Sequence, residues 1–570
     1  MSRDKFGRAW RHVRGAFIAV AVFSAAVNVL TLTGPLYMLQ IYDRVMASGS
    51  VPTLVALSIL VAGLYAMLGV FSFLRARVMS RVGAWLDERL GDDLLRVWVA
   101  RSGSGAGTRG ALHKPLADLS LMRSYLASPA FMALFDLPWF PFYLAVLFLF
   151  HPYLGYLALG GVTVAIFLAF LNQRLTSRPQ QLSAALERQA MSFAEQGHKN
   201  AEAILAMGML DNCVKYWRRL HRQGLRSAQS GSERGQIVTN MSRAFRMLLQ
   251  SALLGLGAWL AIKGEISSGS IIAGSIIGGR ALAPIDQTIA GWQHTLRARA
   301  AYRRLKKILK GVVEDETAAP TSLPTPKGFL EARHVTKFAP DGSRDADGRR
   351  RVILADVHFS LGPGDGLGVI GPSASGKTTL ARLLTGVWLP DSGSVRVDGA
   401  PFEQWDNLEL GRHVGYLPQT HEIMAGTVAQ NIARFDPHAR DEDIVAAAQL
   451  AGVHEMILDL PDGYATQVGP SGANLSAGQR QRVALARAVF RMPRIVVLDE
   501  PNSNLDSEGD AALTAMIARL REAGAAVVVM THRPSAIAAV DHILVLQGGR
   551  QVRYGPKSEV LRRAPEPAPV

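Results

Sequence analysis

Six apolar stretches, each long enough to cross a membrane as a helix, recur in the first 310 residues and are separated by polar stretches. The hydrocarbon core of a bilayer requires about 20 predominantly apolar residues of helix. The stretches are Ala16–Tyr37, Val51–Leu74, Phe131–Phe150, Tyr153–Leu171, Leu248–Ile262 and Gly269–Trp292. We therefore predict an all-α membrane domain over residues 1–310, with six transmembrane helices in the lipid bilayer.

The connections between these stretches alternate between short and long. The short ones are Asp43–Ser50, His151–Pro152 and Lys263–Ser268. The long ones, at about 75–128 and 172–245, are rich in arginine and have helical periodicity. Because Lys and Arg accumulate on the cytoplasmic side of membrane proteins, we predict that the long connections and both termini lie in the cytoplasm. We also expect the spans to continue into the cytoplasm as helices.

After residue 310 the pattern changes. Residues 311–328 contain acidic residues and prolines, a composition typical of a linker. From residue 329 to residue 560, short apolar runs alternate with helical patterns, which favours an α/β domain with a parallel sheet. The proline-rich tail over 561–570 is predicted to be disordered.

Composition agrees with a membrane protein that has more than one domain. The chain has 570 residues, of which 49% are hydrophobic and only 19% are charged. A net charge of +16 would suit a nucleic-acid-binding protein, but an excess of Lys and Arg in cytoplasmic connections explains it more simply. We therefore expect no nucleic-acid partner. The single cysteine, Cys213, excludes an internal disulfide and a cysteine-rich metal site.

A glycine-rich segment between an apolar run and a helical pattern indicates a phosphate-binding loop. Its residues are Gly371, Pro372, Ser373, Ala374, Ser375, Gly376, Lys377, Thr378 and Thr379. Backbone N–H groups of such a loop approach phosphates closely, and the helix N-terminus adds partial positive charge. Lys377 is predicted to reach the β- and γ-phosphates of ATP, and the Thr378 hydroxyl to hold Mg²⁺.

An apolar strand that ends in two acids supplies the second element of an ATPase. Residues 495–498 are apolar and Asp499 and Glu500 follow them directly. A buried parallel strand places such carboxylates at the edge of the sheet where ligands bind. Asp499 is predicted to contact Mg²⁺, and Glu500 to orient and polarise the attacking water. The alternative is a simple turn cap, which the phosphate loop disfavours.

The segment Leu475–Arg482 resembles the signature of the ATP-binding-cassette (ABC) superfamily, with Ala477 at its first glycine. The resemblance implies that Ser476, Gly478 and Gln479 of one subunit cover the γ-phosphate held by another. It also implies roles for four more residues: Gln419 as the loop glutamine that senses Mg²⁺, Asp506 in the loop facing the partner, His532 as the switch histidine, and Phe338 as the candidate for adenine stacking.

Further segments resemble type I secretion permease/ATPases, in particular the group that exports RTX-type proteases and lipases. They are Gly34–Val45, Leu134–Trp139, Ala203–Met209, Gly279–Pro284 and Pro501–Asp506. This resemblance implies a bacterial inner-membrane protein, with its ATPase domain in the cytoplasm, that exports an unfolded polypeptide carrying a C-terminal signal. It also implies a periplasmic adaptor (membrane fusion) protein and an outer-membrane tunnel protein. One phosphate loop and one signature per chain imply a homodimer.

Polar residues inside the spans are Asn28, Arg280 and Asp286. A charge within a span is costly, so it usually faces a wet cavity or a partner. Our hypothesis is that Arg280 and Asp286 line or gate the polypeptide path. The alternative is that they pair with neighbouring helices and fix their packing.

Other functions fit less of the sequence. A lipid or drug flippase shares the half-transporter plan, and only the span motifs disfavour it. A peptidase-containing exporter would need a cysteine-protease domain, and only the short basic segment Met1–Gly15 precedes the first span. A soluble ATPase acting on nucleic acid is inconsistent with the membrane-length stretches, and a purely regulatory ATPase would not need Lys377, Glu500 and His532 together.

Overall fold

A computed structural model describes residues 5–103, 114–315, 323–345, 347–420 and 422–562. The chain divides into two compact units. The first comprises residues 1–99 and 111–316, and the second comprises residues 100–110 and 317–570. We call the first the membrane unit and the second the ATPase unit.

Long helices build the membrane unit. In its described part they are α1 Lys5–Leu30, α2 Thr33–Gln40, a π-helical turn Ile41–Val45, α3 Met46–Ser48, α4 Val51–Gly103, α5 Pro115–Leu126, α6 Pro129–Asp136, a 3₁₀ turn Leu137–Trp139, α7 Phe140–Phe150, α8 Pro152–Lys199, α9 Ala201–Ala206, α10 Leu210–Ile262 and α11 Ser268–Asp315. Three of these helices, α5, α6 and α8, begin at a proline, whose fixed φ angle suits the first turn of a helix. At the start of α8 the side chain of His151 also accepts the N–H of Tyr153.

Six helical segments of the described chain are long and apolar enough to cross a membrane, which confirms the predicted spans. They are Val13–Ser48, Val51–Ala100, Pro129–Phe150, Pro152–Lys199, Leu210–Ile262 and Ser268–Leu309. Two of them, Val51–Ala100 and Leu210–Ile262, have 50 and 53 residues, far more than a bilayer requires. These helices therefore extend beyond the length that a bilayer requires, and the placement of the extensions in the cytoplasm stays a prediction.

The structure corrects the prediction that Asp43–Ser50 is a connection. The helix continues through Ser48, and only Gly49, with φ of +64°, and Ser50 form the turn. Asp43 is polar but has tertiary partners, because its carboxylate accepts the N–H of Gly269 at 2.7 Å and the hydroxyl of Ser267 at 2.5 Å. A polar residue that is paired in this way does not interrupt a helix.

Two predicted boundaries are also wrong in part. Helix α11 runs to Asp315, so the predicted linker start at residue 311 lies inside a helix. Residues 316–322 lie outside the described residues, and at the other end of the segment the N–H groups of Lys327 and Phe329 bond the carboxylate of Asp398. In the predicted tail, residues 561 and 562 end helix α20, and 563–570 lie outside the described residues.

A polar cluster lies between the apolar helices of the membrane unit. The side-chain amide of Asn28 donates to Asp136 at 2.8 Å, and Tyr143 donates to the amide oxygen of Asn28 at 3.0 Å. Arg75 pairs with Asp136 at 2.8 Å, and their side chains are only 16% and 13% exposed. The carboxylate of Asp136 thereby joins α6 to α1 and α4, and Asn28 joins α7 to the same cluster.

The ATPase unit is a mixed sheet with flanking helices, which confirms the predicted α/β class. The strands are β1 Leu330–Phe338, β2 Val352–Leu361, β3 Gly366–Ile370, β4 Ser392–Val397, β5 Ala400–Pro401, β6 Val414–Leu417, β7 Ile495–Asp499, β8 Ala526–Met530, β9 His542–Gln547 and β10 Arg550–Pro556. The helices are α12 Lys377–Leu384, α13 Asn407–His413, α14 Val428–Ile432, α15 Asp441–Leu450, α16 His454–Leu458, α17 Ala477–Val489, α18 Ser507–Glu522, α19 Pro534–Ala538 and α20 Lys557–Arg562.

The strand order is β5-β4-β1-β2-β10-β9-β3-β8-β7-β6, with an antiparallel group of strands at one end and a parallel group at the other. β1, β2, β4 and β5 pair antiparallel, whereas β3, β6, β7 and β8 run parallel. Strands β7 and β8 are fully buried, as expected for a parallel sheet covered by helices on both faces. The carboxyl ends of these parallel strands meet at one edge, which positions the site described below.

The polar cluster of the membrane unit gives the first prediction. Replacing Arg75 in the variant Arg75→Met leaves the buried carboxylate of Asp136 without its cation, so we expect a loss of about 1–3 kcal/mol of stability. The measurement is the thermal unfolding midpoint of the purified full-length protein in detergent. The exposed neighbour Arg77 on the same helix gives the matched control Arg77→Met, which should leave the midpoint unchanged. Equal midpoints for the two variants would contradict the pairing.

Candidate nucleotide site

The predicted phosphate loop connects β3 to α12. Ala374 and Gly376 adopt left-handed backbone conformations with φ of +64° and +99°. Gly376 is the N-cap of α12, and any side chain there would meet Leu354 at 2.6 Å, so the tight turn requires glycine. Lys377, Thr378 and Thr379 form the first turn of the helix. Backbone N–H groups of this turn are available for an anion.

Lys377 is buried, and its ammonium group lies against the loop itself. Its Nζ donates to the carbonyl oxygens of Gly371 at 2.6 Å and Pro372 at 3.1 Å. These carbonyls are neutral, so they do not cancel the positive charge of Lys377 beside the loop. An anion that enters the loop therefore meets both backbone donors and a full positive charge.

Asp499 ends the buried strand β7, and its side chain is fully buried. Neither carboxylate oxygen has a hydrogen-bond partner among the described residues. Burial raises the pKa of Asp499 above its ordinary value, while the nearby Thr378 hydroxyl and the charges of Arg382 and Lys377 act in the opposite direction. A buried carboxylate without a donor fits a cation ligand, and an oxygen-only set that includes a hydroxyl suits Mg²⁺.

A chain of polar side chains links the loop to the next acid. The Thr378 hydroxyl donates to the side-chain oxygen of Gln419 at 3.4 Å, and the Gln419 amide donates to Glu500 at 3.3 Å. Glu500 has a left-handed backbone with φ of +52°, and its N–H bonds the carbonyl of Met530 at 2.9 Å. The sheet thus fixes the backbone of Glu500 in a strained conformation, of a kind that concentrates at functional sites.

The signature segment forms the start of helix α17. Ser476 is the N-cap, and its hydroxyl oxygen accepts the N–H of Gln479 at 3.2 Å, while the side chain of Gln479 accepts the N–H of Ser476 at 2.8 Å. This reciprocal capping box defines the end of the helix. The structure therefore uses the side chain of Gln479, predicted to contact nucleotide, as a cap. Gly478 is half-buried on the first turn, beside the carbonyl of Asn504.

The remaining predicted residues occupy separate places in the ATPase unit. Asp506 caps helix α18 by accepting the N–H of Gly509 at 2.8 Å, and it pairs with Arg482 at 2.8 Å. His532 is exposed and is separated from the end of β8 by Thr531. Phe338 is half-buried at the end of β1, where its N–H bonds Asp391 at 2.9 Å. The roles assigned to these three residues stay predictions.

The sequence analysis missed Gln481, which is fully buried on helix α17. Its side-chain nitrogen donates to the carbonyl of Pro501, and its side-chain oxygen accepts the N–H of Asn504 at 3.0 Å. This single side chain therefore fixes the loop between Glu500 and Asp506. Its position on the otherwise apolar face of α17, beside Leu485, is the signal that could have identified it.

Comparison with known protein families decides the identity of both units. Residues 354–503 match the model of the ABC transporter ATP-binding family, described as "ABC transporter", and residues 17–277 match "ABC transporter transmembrane region". The chain is 44% identical over 562 residues to the type I secretion system ATP-binding protein PrsD of Rhizobium meliloti (strain 1021), covering 99% of this chain and 95% of that protein. This chain belongs to the ABC transporter family. It carries the ATPase domain of that family.

More distant relatives of this ABC transporter include two leukotoxin transporters. LktB of Mannheimia haemolytica is a leukotoxin translocation ATP-binding protein, 28% identical over 97% of this chain and 77% of its own length. LtxB of Aggregatibacter actinomycetemcomitans is a leukotoxin export ATP-binding protein, 28% identical over 96% of this chain and 77% of its own length. Among solved structures, a bacterial Atm1-family ABC exporter with ATP bound superimposes with a TM-score of 0.81 at 22% identity, covering 97% of this chain and 98% of that one, which shows the shared fold.

The buried amide of Gln481 gives the second prediction. The variant Gln481→Leu leaves the carbonyl of Pro501 and the N–H of Asn504 unpaired, which costs about 1–3 kcal/mol for each buried group. Because the affected loop begins directly after Glu500, we expect kcat for ATP hydrolysis to fall about tenfold or more while ATP affinity changes little. Turnover and equilibrium ATP binding are measured on the full-length transporter. The exposed Gln404 supplies the control Gln404→Leu, and equal turnover in both variants would contradict the role of Gln481.

Proposed function

We propose that this ABC transporter is the ATP-driven exporter of a bacterial type I secretion system. It carries unfolded polypeptides with a C-terminal signal across the inner membrane, with its ATPase unit in the cytoplasm. The observation that carries the proposal is the 44% identity with PrsD, which extends over 99% of the chain and therefore includes the spans. The resemblance of the span segments Gly34–Val45 and Gly279–Pro284 to secretion permeases supports the same reading.

The working unit is a homodimer. Each chain has one phosphate loop, ending at Thr378, and one signature, beginning at Ser476. If the signature of one chain covers the nucleotide bound by the other, two chains form two complete sites. The exposure of Ser476 and Ala477 at the start of α17 supports this arrangement, because a second nucleotide-bearing loop can reach this helix end.

The polar residues at this edge of the sheet have separate roles in ATP hydrolysis. Lys377 and the loop N–H groups hold the phosphates of ATP. Asp499, Thr378 and Gln419 hold Mg²⁺, which neutralises charge that develops on the phosphate oxygens. Glu500 accepts a proton from the attacking water and orients it, and its bond to Gln419 keeps it at the same edge. His532 lies at the neighbouring strand end and contacts the γ-phosphate.

The charged residues of the sixth span have separate roles. Asp286 pairs with Arg246 at 3.3 Å and accepts the hydroxyl of Ser242 at 2.7 Å, so the helix-packing alternative suits Asp286. Arg280 is exposed, and we assign it to the polypeptide path. A periplasmic adaptor and an outer-membrane tunnel protein complete the route out of the cell.

The third prediction concerns hydrolysis. The variant Glu500→Gln keeps the hydrogen bond from Gln419 possible but cannot take a proton, so we expect ATP turnover to fall about 100-fold or more with ATP binding intact. The ATP-bound variant should also persist as a dimer in light-scattering measurements. The exposed Glu508 gives the control Glu508→Gln, which should turn over like the parent. Unchanged hydrolysis in Glu500→Gln would refute the assigned base.

The fourth prediction separates protein export from lipid transport. In proteoliposomes, an unfolded polypeptide bearing the C-terminal signal should change the rate of ATP hydrolysis, whereas headgroup-labelled lipids should not be flipped. The variant Arg280→Glu should abolish transport of that polypeptide but retain hydrolysis in the absence of cargo, because a reversed charge alters the path and leaves the ATPase unit untouched. Lipid flipping by the parent, with no response to polypeptide, would favour the flippase instead.

A further inference from the structure

Three metal-ligating side chains without an assigned role at the nucleotide site lie together in the antiparallel part of the ATPase unit. They are His334 on β1 and Asp356 and His358 on β2. One ligand atom from each lies within 4.8 Å of the other two. The Nδ1 atom of His334 is 2.6 Å from a carboxylate oxygen of Asp356, and the rings of the two histidines have centroids 5.4 Å apart.

Two irregularities in the pairing of β1 with β2 create this arrangement. Ala332 pairs with Phe359 and Val335 with Val357, so residues 333 and 334 together face residue 358. Lys337 pairs with Leu354, so residue 336 faces both residues 355 and 356. Val335 and Val357 are fully buried between the irregularities, and the three polar side chains are all exposed. Bulges re-aim side chains in this way and are retained as features of a fold.

The backbone is strained at two of the three residues. His334 has φ of +47° and Asp356 has φ of +55°, both in the left-handed region. Such backbone conformations are costly for residues other than glycine. The hydrogen bond between His334 and Asp356 contributes little toward this cost, because the two side chains are 75% and 70% exposed. A ligand that binds both side chains would add the missing stabilisation.

We infer that His334, Asp356 and His358 bind a divalent transition-metal ion of the zinc class. Two imidazoles and one carboxylate form a three-ligand set that leaves a fourth position for water. Imidazole ligands favour zinc over Mg²⁺, so this site differs in chemistry from the oxygen-only set around Asp499. The ion joins β1 to β2 and fixes the two bulges. The inference does not depend on the proposed export function.

The experiment uses tag-free, full-length transporter in detergent with saturating Mg²⁺, titrated with chelator-buffered Zn²⁺. We expect one zinc equivalent per chain, and a drop in affinity of more than about tenfold in His334→Asn and in His358→Ala, since even an outer partner of a metal ligand contributes that much. Asparagine tolerates the left-handed backbone at residue 334, so that variant removes the ligand and not the fold. The exposed His438 supplies the control His438→Ala, which should bind zinc like the parent.

A second measurement needs no variant. Diethylpyrocarbonate modifies exposed imidazoles, and mass spectrometry locates the modified residues. Zn²⁺ should protect His334 and His358 and leave His438 as reactive as before. Equal modification of all three with and without zinc, or unchanged zinc binding in both histidine variants, would overturn the inference.

Discussion

The carboxylate of Asp499 is fully buried at the end of β7, and no described donor bonds either of its oxygens. An unpaired buried charge is among the most costly features that a fold can contain, and burial raises the pKa of this group accordingly. The carboxylate stays buried despite this cost because β7, the strand that carries it, pairs with β6 and β8 and is itself fully buried. The same sheet edge carries the positive charge of Lys377. In the proposed function, ATP and its metal ion supply the opposite charges for Lys377 and Asp499, which no described hydrogen-bond donor supplies to Asp499.

In the membrane unit, by contrast, the carboxylates between the helices are paired with side chains of other helices. Its buried carboxylate, Asp136, is matched by Arg75 and Asn28 from other helices, and Asp286 is matched by Arg246 and Ser242. Paired charges hold helices together in an apolar environment. Arg280 is exposed and forms no ion pair with a described acidic residue, which is why the proposed polypeptide path is placed there and not at Asp286.

The sequence predicts the fold well wherever one local pattern decides the structure. Apolar length sufficed for the six spans, and glycines between a strand and a helix sufficed for the phosphate loop. Prediction was wrong where a residue distant in sequence determines the local structure. Asp43 looks like a loop residue, but it lies in a helix and its carboxylate bonds Gly269 and Ser267. Gln481 was missed for the same reason, because its partners, Pro501 and Asn504, come some 20 residues later. The left-handed backbones of His334 and Asp356 arise from strand register, which no local pattern reports.

The capping box at the signature shows how a polar side chain can support a binding site without contacting the ligand itself. The side-chain oxygen of Gln479 accepts the N–H of Ser476, and the hydroxyl oxygen of Ser476 accepts the N–H of Gln479. The hydroxyl acts there only as an acceptor, so its proton is still free to be donated. The N–H groups of Ala477 and Gly478 are also without intrahelical partners, as at the start of every helix. An anion facing this helix end therefore meets one hydroxyl and two backbone donors. Gln479 orients them, because its side chain is bonded to the N-cap residue Ser476. The small side chain of Ala477 leaves these donors accessible at the helix end.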